Sequence, residues 1–234
     1  MVNVQNFDKS EVVESITALW NPLSEEQRRY LLHHITIRRY SKNELIYQLG
    51  DKPDYLMCLI RGKVKIYRDG VGGRNQIVRM VNELGLFGYR AAFAHEEYIT
   101  AAAAVEQSVI CMIPIEVIRH LIHNNNEVAL YFIRQLSLLL GNADIQLVNL
   151  TQKHIRGRLA ESLLQLKEKY GVEADGETLN IRLSREDLAA LSNMTTSNAI
   201  RTLSAFAQEQ LIAIDGKDIK IIEDEELRKV STIG

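Results

Sequence analysis

Leu183-Ser184-Arg185-Glu186-Asp187-Leu188-Ala189-Ala190-Leu191-Ser192-Asn193-Met194-Thr195-Thr196-Ser197-Asn198-Ala199-Ile200-Arg201-Thr202-Leu203 reads as two short helices joined by a tight turn. Ser184, with Asp187 three residues on, caps the first helix, and the acids suit its positive end. Leu188, Ala189 and Leu191 supply a buried face, where small Ala189 permits a close helix crossing. Ser192-Asn193-Met194 makes a turn without glycine, in which Asn193 can take a left-handed conformation. Thr195 caps the second helix. There Ala199, Leu203 and Phe206 share one face, while Thr196, Ser197 and Arg201 occupy the other, with Ser204 and Gln208 further on. Ile200 is open to two readings, inside or against a thymine methyl. Short hydroxyls followed by an arginine suit a helix end that enters the major groove, where arginine bonds guanine with two donors.

Downstream, Leu211–Ile214 and Asp218–Ile222 flank Asp215-Gly216-Lys217, and an Asp-Gly turn between apolar runs signals a hairpin. Helix-turn-helix followed by a hairpin is a winged helix, with Lys217 placed for a phosphate. The candidate DNA-binding residues are therefore Ser184, Arg185, Thr195, Thr196, Ser197, Asn198, Arg201 and Lys217. The competing reading is an αα-hairpin packed on a small sheet with no DNA role.

Upstream, the period changes. Ser24-Glu25-Glu26-Gln27 is a capping box within a helical entry over 15–34. Leu45–Gln48, Tyr55–Ile60, Lys63–Tyr67, Ile77–Val81 and Ser108–Ile113 are short strand-like runs. Glycine-bearing breaks at Gly50-Asp51, Arg61-Gly62, Asp69–Gly73 and Gly85 separate them, which argues for an antiparallel barrel or jelly roll. After Pro114 come a short helix, Ile115–His123, an interruption at Asn124–Asn126, and a long helix from about Glu127 to Leu150. Along it Ala129, Phe132, Leu136, Leu139, Ala143, Gln146 and Leu150 advance by threes and fours as a heptad seam, flanked by Ile133, Leu140 and Leu147. The expected dimer interface is Ala129, Phe132, Leu136, Leu139, Leu140, Ala143, Leu147 and Leu150. The competing reading packs this stripe on the chain's own core. Gly141 within the helix suggests a packing reason for keeping it. A further helix, 154–170, ends at Tyr170-Gly171, a C-cap signal, before a polar loop.

The 234 residues, 46% hydrophobic and 25% charged, suit one large or two small well-cored domains. A formal net charge of −2 leaves room for a local basic face. No run is apolar enough to cross a bilayer, and Met1–Ser10 lacks the layout of a secretory signal, so a cytoplasmic location and no membrane partner are expected. Cys58 and Cys111 sit in apolar runs and read as buried thiols, and an iron–sulfur cluster would want four. The six histidines, including His120 and His123 on one helix face, form no metal-ligand spacing, so no metal site is expected.

The order of parts resembles the catabolite-activator/fumarate-nitrate-regulator (CRP/FNR) family over nearly the whole chain. Tyr47-Gln48-Leu49-Gly50-Asp51, Leu59-Ile60-Arg61-Gly62-Lys63-Val64 and Gly85-Leu86-Phe87-Gly88 match its glycine skeleton, and Arg156–Leu164 looks like its hinge helix. The resemblance implies an α+β fold with three parts. These are a double-stranded β-roll sensor like a cyclic-nucleotide-binding jelly roll (1–126), a long dimerisation helix and hinge (127–153), and a winged helix-turn-helix (154–234). It further implies a homodimer that binds double-stranded DNA, works with RNA polymerase, answers an unknown small-molecule effector and is not an enzyme. Gly157, near the hinge, would let the recognition helices change spacing.

The effector pocket implied by the same comparison comprises Phe87, Gly88, Tyr89, Arg90, Tyr98, Ile99, Thr100, Ala143 and Asp144. In cyclic-nucleotide-binding members a glutamate stands where this chain has Tyr89, and an arginine–serine pair where it has Tyr98-Ile99. A threonine and a serine stand at Ala143 and Asp144. Without that arginine a phosphate loses its bidentate partner, so cyclic AMP is not expected. Arg90 and His95, in the corresponding loop, could serve another anion or a haem, though nothing further supports haem. Two other readings stay open: a cupin-like enzyme, weakened because the strand region holds only His95, and a binding module of the same fold that has lost DNA binding.

Overall fold

A computed structural model describes residues 8–18, 20, 23–70 and 73–233. The first seven residues of the stretch read for a secretory signal lie outside the described residues. So do Leu19, Asn21 and Pro22 of the helical entry, and Val71 and Gly72 of the Asp69–Gly73 break. The chain divides into two compact units, residues up to Arg68 with Met80–Leu140, and Asp69–Arg79 with the residues from Gly141 onward.

The helical entry is two helices, α1 (Lys9–Thr17) and α2 (Glu25–His34). Both halves of the Ser24/Gln27 capping box form. Eight strands follow: β1 (Thr36–Tyr40), β2 (Leu45–Tyr47), β3 (Tyr55–Arg61), β4 (Val64–Asp69), β5 (Asn75–Val81), β6 (Leu86–Phe87), β7 (Ala101–Ala104) and β8 (Ser108–Pro114). They make two four-stranded sheets, ordered β1-β8-β3-β6 and β2-β7-β4-β5, with antiparallel pairing such as β3 on β8. Every strand-like run of the sequence is one of these strands. Three strands went unread: β1, the two-residue β6, and β7. The last consists of four alanines, which carry neither alternation nor the β-branched bulk that marks a strand.

Strands β3 and β8 are apolar without interruption because both their faces are covered. Leu56 and Cys58 on β3, with Cys111 and Ile113 on β8, join a helical core built on Val12, Ile16, Trp20, Leu31, Ile118 and Phe132. Their neighbours Met57, Leu59, Ile110 and Met112 line the other side, the inside of the roll, with Tyr47, Phe87, Tyr98, Ala102 and Ala104. The period-two pleat thus feeds two cores from one strand pair. Cys58 and Cys111 are free, buried and directly opposite each other across the ladder. Burial pushes the Cys111 thiol up to about 12 and the Cys58 thiol higher still.

Between β6 and β7 lies α3 (Tyr89–Ala94), so Arg90 is helical and His95 is its left-handed C-cap, where a loop was expected. After β8 come α4 (Ile115–Asn124) and the long α5 (Asn126–Gln152), broken at the extended Asn125. On α5 the expected interface divides: Leu140, Ala143 and Leu147 are exposed, whereas Phe132, Leu136 and Leu139 are not. Phe132 is buried, and Leu136 and Leu139 pack on the helical core, so that stripe faces inward over the first half of the helix. The outward side carries a second series in steps of three and four: Leu130, Ile133, Ser137, Leu140, Asp144 and Leu147. Leu138, Ile145 and Val148 lie beside it, and all of these apolar side chains are exposed, Ile133 by 58% and Leu140 by 65%. Within this chain a Cβ at Gly141 would meet nothing within 4 Å.

The second unit is built from α6 (Ile155–Tyr170), α7 (Arg185–Leu191), α8 (Thr196–Gln208), the hairpin of β9 (Ile212–Asp215) and β10 (Asp218–Ile221), and α9 (Asp224–Ile233). Helix α9, absent from the sequence reading, is tied back through Lys167 to Asp224 at 2.7 Å. Gly157 is buried inside the first turn of α6 with an ordinary backbone.

Candidate nucleic-acid interface

Helix α7 begins where Ser184 Oγ accepts from the Asp187 amide at 3.0 Å, and α8 where Thr195 Oγ1 accepts from the Asn198 amide at 3.2 Å. Each such cap is worth about 1 kcal/mol. Between the helices Asn193 takes φ 49°, the left-handed turn expected of it. Ala199, Leu203 and Phe206 are fully buried, which fixes the rotation of α8. The opposite face is open: Ser197, Ile200, Arg201, Ser204 and Gln208 are exposed and Thr196 is half-buried. Ile200 is resolved as an outward residue, 46% exposed.

Arg201 leans on its own helix, donating from Nη2 to Asn198 Oδ1, and this holds the guanidinium over the N-terminal half of α8. An open groove of about 360 Å³ beside it is lined by Ile155, Arg156, Asn198, Arg201, Thr202 and Ala205. Arg156, which sequence reasoning missed as part of this surface, lies over the Phe206 ring at 4.8 Å and pairs with Glu209. No local pattern could have shown this, because its partners are far along the chain.

The wing is a two-residue turn, Gly216-Lys217, closed by the facing pair Asp215 and Asp218. Gly216 has φ 55°, the positive value that the first central position of such a turn requires. Lys217 is exposed at the tip. Arg185 reaches the wing: its Nη2 donates to the Gly216 carbonyl at 2.8 Å, and its Nη1 is buried without a hydrogen-bond partner. It braces the wing from the start of α7. Arg182, unread in the sequence, pairs with Asp218 beside the turn.

Three of the residues expected to line an effector pocket, Phe87, Tyr89 and Tyr98, are buried. Phe87 and Tyr98 are packed inside the roll, whereas Tyr89 points into the helical core. Tyr98, 5% exposed, stacks on Tyr47 with ring centroids 3.8 Å apart and planes 16° from parallel. Gly88 has φ 86°, and a Cβ there would lie 2.5 Å from Met57 Cε and 3.1 Å from the Tyr98 hydroxyl. The sheet wall and this ring leave room only for glycine. Burial pushes the Tyr98 phenol well above its ordinary value, so it stays neutral. Arg90 is exposed and paired with Glu96 at 3.2 Å; Ile99 is exposed, Thr100 half-buried, and Ala143 and Asp144 exposed on α5. Among the described residues no three His, Cys, Asp or Glu side chains gather as metal ligands.

A double-sheet roll and a winged helix-turn-helix with an open polar helix face, on one chain, define a class of DNA-binding transcription regulators. Two family models match side by side, a cyclic nucleotide-binding domain over residues 37–125 and a Crp-like helix-turn-helix domain over 157–230. The chain belongs to the CRP/FNR family of transcription regulators. The CRP-like cAMP-activated global transcriptional regulator of Mycobacterium tuberculosis is 24% identical over 192 residues, 81% of this chain and 85% of that protein. The global nitrogen regulator of a Nostoc species is also 24% identical, over 79% of this chain and 84% of its own. In fold the chain is similar to FixK2 from Bradyrhizobium japonicum, with a TM-score of 0.77 at 19% identity over 86% of this chain and 98% of that one. These relatives are regulators rather than enzymes, in line with the expectation from sequence. No helix among the described residues is long and apolar enough to cross a membrane.

Proposed function

We propose that the protein is a cytoplasmic, sequence-specific regulator that binds an inverted-repeat operator as a homodimer and works with RNA polymerase, its roll serving as the effector-responsive half. The observation that carries this reading is the outward face of α8. Ser197, Ile200, Arg201 and Ser204 stand exposed on a helix whose rotation is fixed by three buried residues. Arginine there can take guanine, and Ile200 a thymine methyl. The second copy is argued from α5. Exposed Leu130, Ile133, Leu140 and Leu147 at heptad spacing, with Leu138, Ile145 and Val148 beside them, form an apolar stripe of a kind that monomers rarely leave open. The residues that would meet the second copy are Leu130, Ile133, Leu140 and Leu147 rather than the inward Phe132, Leu136 and Leu139.

The effector, on this proposal, is not a cyclic nucleotide. Tyr98, at the position where the family's nucleotide binders carry an arginine, is a neutral buried ring stacked on Tyr47, and offers a phosphate no charge. No iron–sulfur cluster or haem is assigned, since both cysteines are opposed core thiols and His95 caps α3 alone.

Purified protein mixed with fragmented genomic DNA, followed by recovery and sequencing of the bound fraction, tests the function. The expected result is an inverted repeat with half-sites about one helical turn, ~34 Å, apart. Sedimentation should give a dimer. A monomer at micromolar concentration, or enrichment without symmetry, would overturn the reading.

A further inference from the structure

Two helices end on one side chain. Arg158, in the first turn of α6, donates to three main-chain carbonyls: Nη1 to Lys153 at 2.9 Å, Nε to Ser192 at 3.1 Å and Nη2 to Asn193 at 3.1 Å. Lys153 directly follows α5, and its amide still bonds to the Asn149 carbonyl in helical fashion. Ser192 is the C-cap of α7, and Asn193 is the left-handed residue of the turn into α8. A helix C-terminus leaves carbonyls without partners and carries partial negative charge. One planar cation here satisfies two such ends, and its rigid fork fixes where one lies relative to the other.

A second tie runs one turn further along α6. Glu161 accepts from Asn149 Nδ2 at 2.8 Å and pairs with Lys153 Nζ at 3.1 Å, again gripping the end of α5. Ser192 Oγ bonds Ser162 Oγ at 2.9 Å in a buried position, again gripping the turn. Each grip on α5 therefore has a grip on the turn beside it. Met194 and Thr195 are the only residues between Asn193 and α8, so the direction of α8 follows wherever the turn is held. None of the gripping side chains lies on the open face of α8.

We propose that Arg158 is a positioning residue for DNA reading, with Glu161 as its second tie: together they lock the end of α5 to the turn before α8. In the dimer this would hold the two α8 helices at the separation the operator's half-sites require. The inference rests on the proposed operator binding, and the measurements separate the two.

Full-length wild type, Arg158→Lys, Arg158→Ala and Glu161→Gln are titrated with the enriched operator, and with versions carrying one or two base pairs more or fewer between half-sites. Lysine keeps the charge but cannot span three carbonyls. Arg158→Lys should therefore bind the correct operator roughly tenfold more weakly and lose most of its spacing discrimination. Its salt dependence should stay at the wild-type slope, since no phosphate contact is removed. Glu161→Gln should shift the same way by less. Wild-type spacing discrimination in Arg158→Lys, or a shallower salt slope, overturns the proposal.

A second measurement needs no DNA. Spin labels on Asn142→Cys and Ser204→Cys, both exposed sites, report the distance within one chain when labelled protein is diluted with unlabelled. Wild type should give a narrow distribution, and Arg158→Lys and Arg158→Ala broad ones at unchanged helix content. A distribution that stays narrow sinks the lock. If wild type selects no duplex at all, the function proposed above falls, and the spin labels still decide the role of Arg158.

Discussion

Helix α3 with the strand after it, and helix α8, are the two places where the family resemblance puts recognition, and they present opposite surfaces. On α8 the apolar residues turn in and the polar ones out. Around α3, Phe87, Tyr89 and Tyr98 all turn in, and the outward Arg90 is spent on Glu96. One region projects polar side chains, and the other turns its rings inward. What a roll can hold is decided by the few side chains that meet across its interior.

The largest expected effect comes from opening the inward-turned region. Tyr98→Ala removes a buried, stacked ring and should cost about 3–5 kcal/mol of stability, read from urea unfolding. Added phenol should restore part of that loss by entering the vacated space. Unchanged stability would mean that the ring fills nothing. On the projecting side, Arg201→Ala should weaken operator binding by about 1–3 kcal/mol and relax the preference at one base pair while the melting temperature holds. A titration against single-base operator variants checks this, and an equal loss on every sequence would make Arg201 a phosphate contact.

Alkali should discriminate the two regions next. Unfolded thiols ionise near 9, whereas Cys111 is held at about 12 and Cys58 above that. Above pH 9 the unfolded chain gives up protons that the native roll keeps, so stability is full below that value. It should then fall as pH rises from about 9 towards 12. The drop should be roughly 3 kcal/mol by pH 10, about 1.4 for each thiol, and Cys58→Ala/Cys111→Ala should reduce it. Native protein at pH 8 should leave both thiols unreacted with a thiol reagent. Smallest of all, Lys217→Ala should reduce the salt slope of DNA binding by about one, uniformly across sequences, in binding measured at several salt concentrations.

What could be read in the sequence was what is local. The caps at Ser24, Ser184 and Thr195, the left-handed Asn193 and the buried Ala199-Leu203-Phe206 face all depend on residues within two turns of each other. What went unread depends on distant partners. Four alanines form β7 because β2 and β4 flank them, and Tyr98 is closed off because Tyr47 reaches it from another strand. Helix α5 was read as one seam because both of its faces are apolar: Phe132, Leu136 and Leu139 of that reading lie on the chain's own core, and Leu140, Ala143 and Leu147 are exposed. Spacing alone does not say which one meets the chain's own core, and Phe132 among Trp20, Tyr89 and Phe93 does. The Gly216-Lys217 turn shifted by one position from the Asp-Gly reading because ladder register, not dipeptide preference, chose the closing pair.

The partition wall made by β3 and β8 has a consequence for insertions and deletions. Leu56, Met57, Cys58 and Leu59 are addressed alternately to two separate interiors. Losing a single residue there would exchange the two linings wholesale, sending the aromatic chamber's residues towards the helices and the helices' residues into the chamber. Length in this segment should therefore be guarded more strictly than identity, because either interior can absorb a changed side chain and neither can absorb the other's.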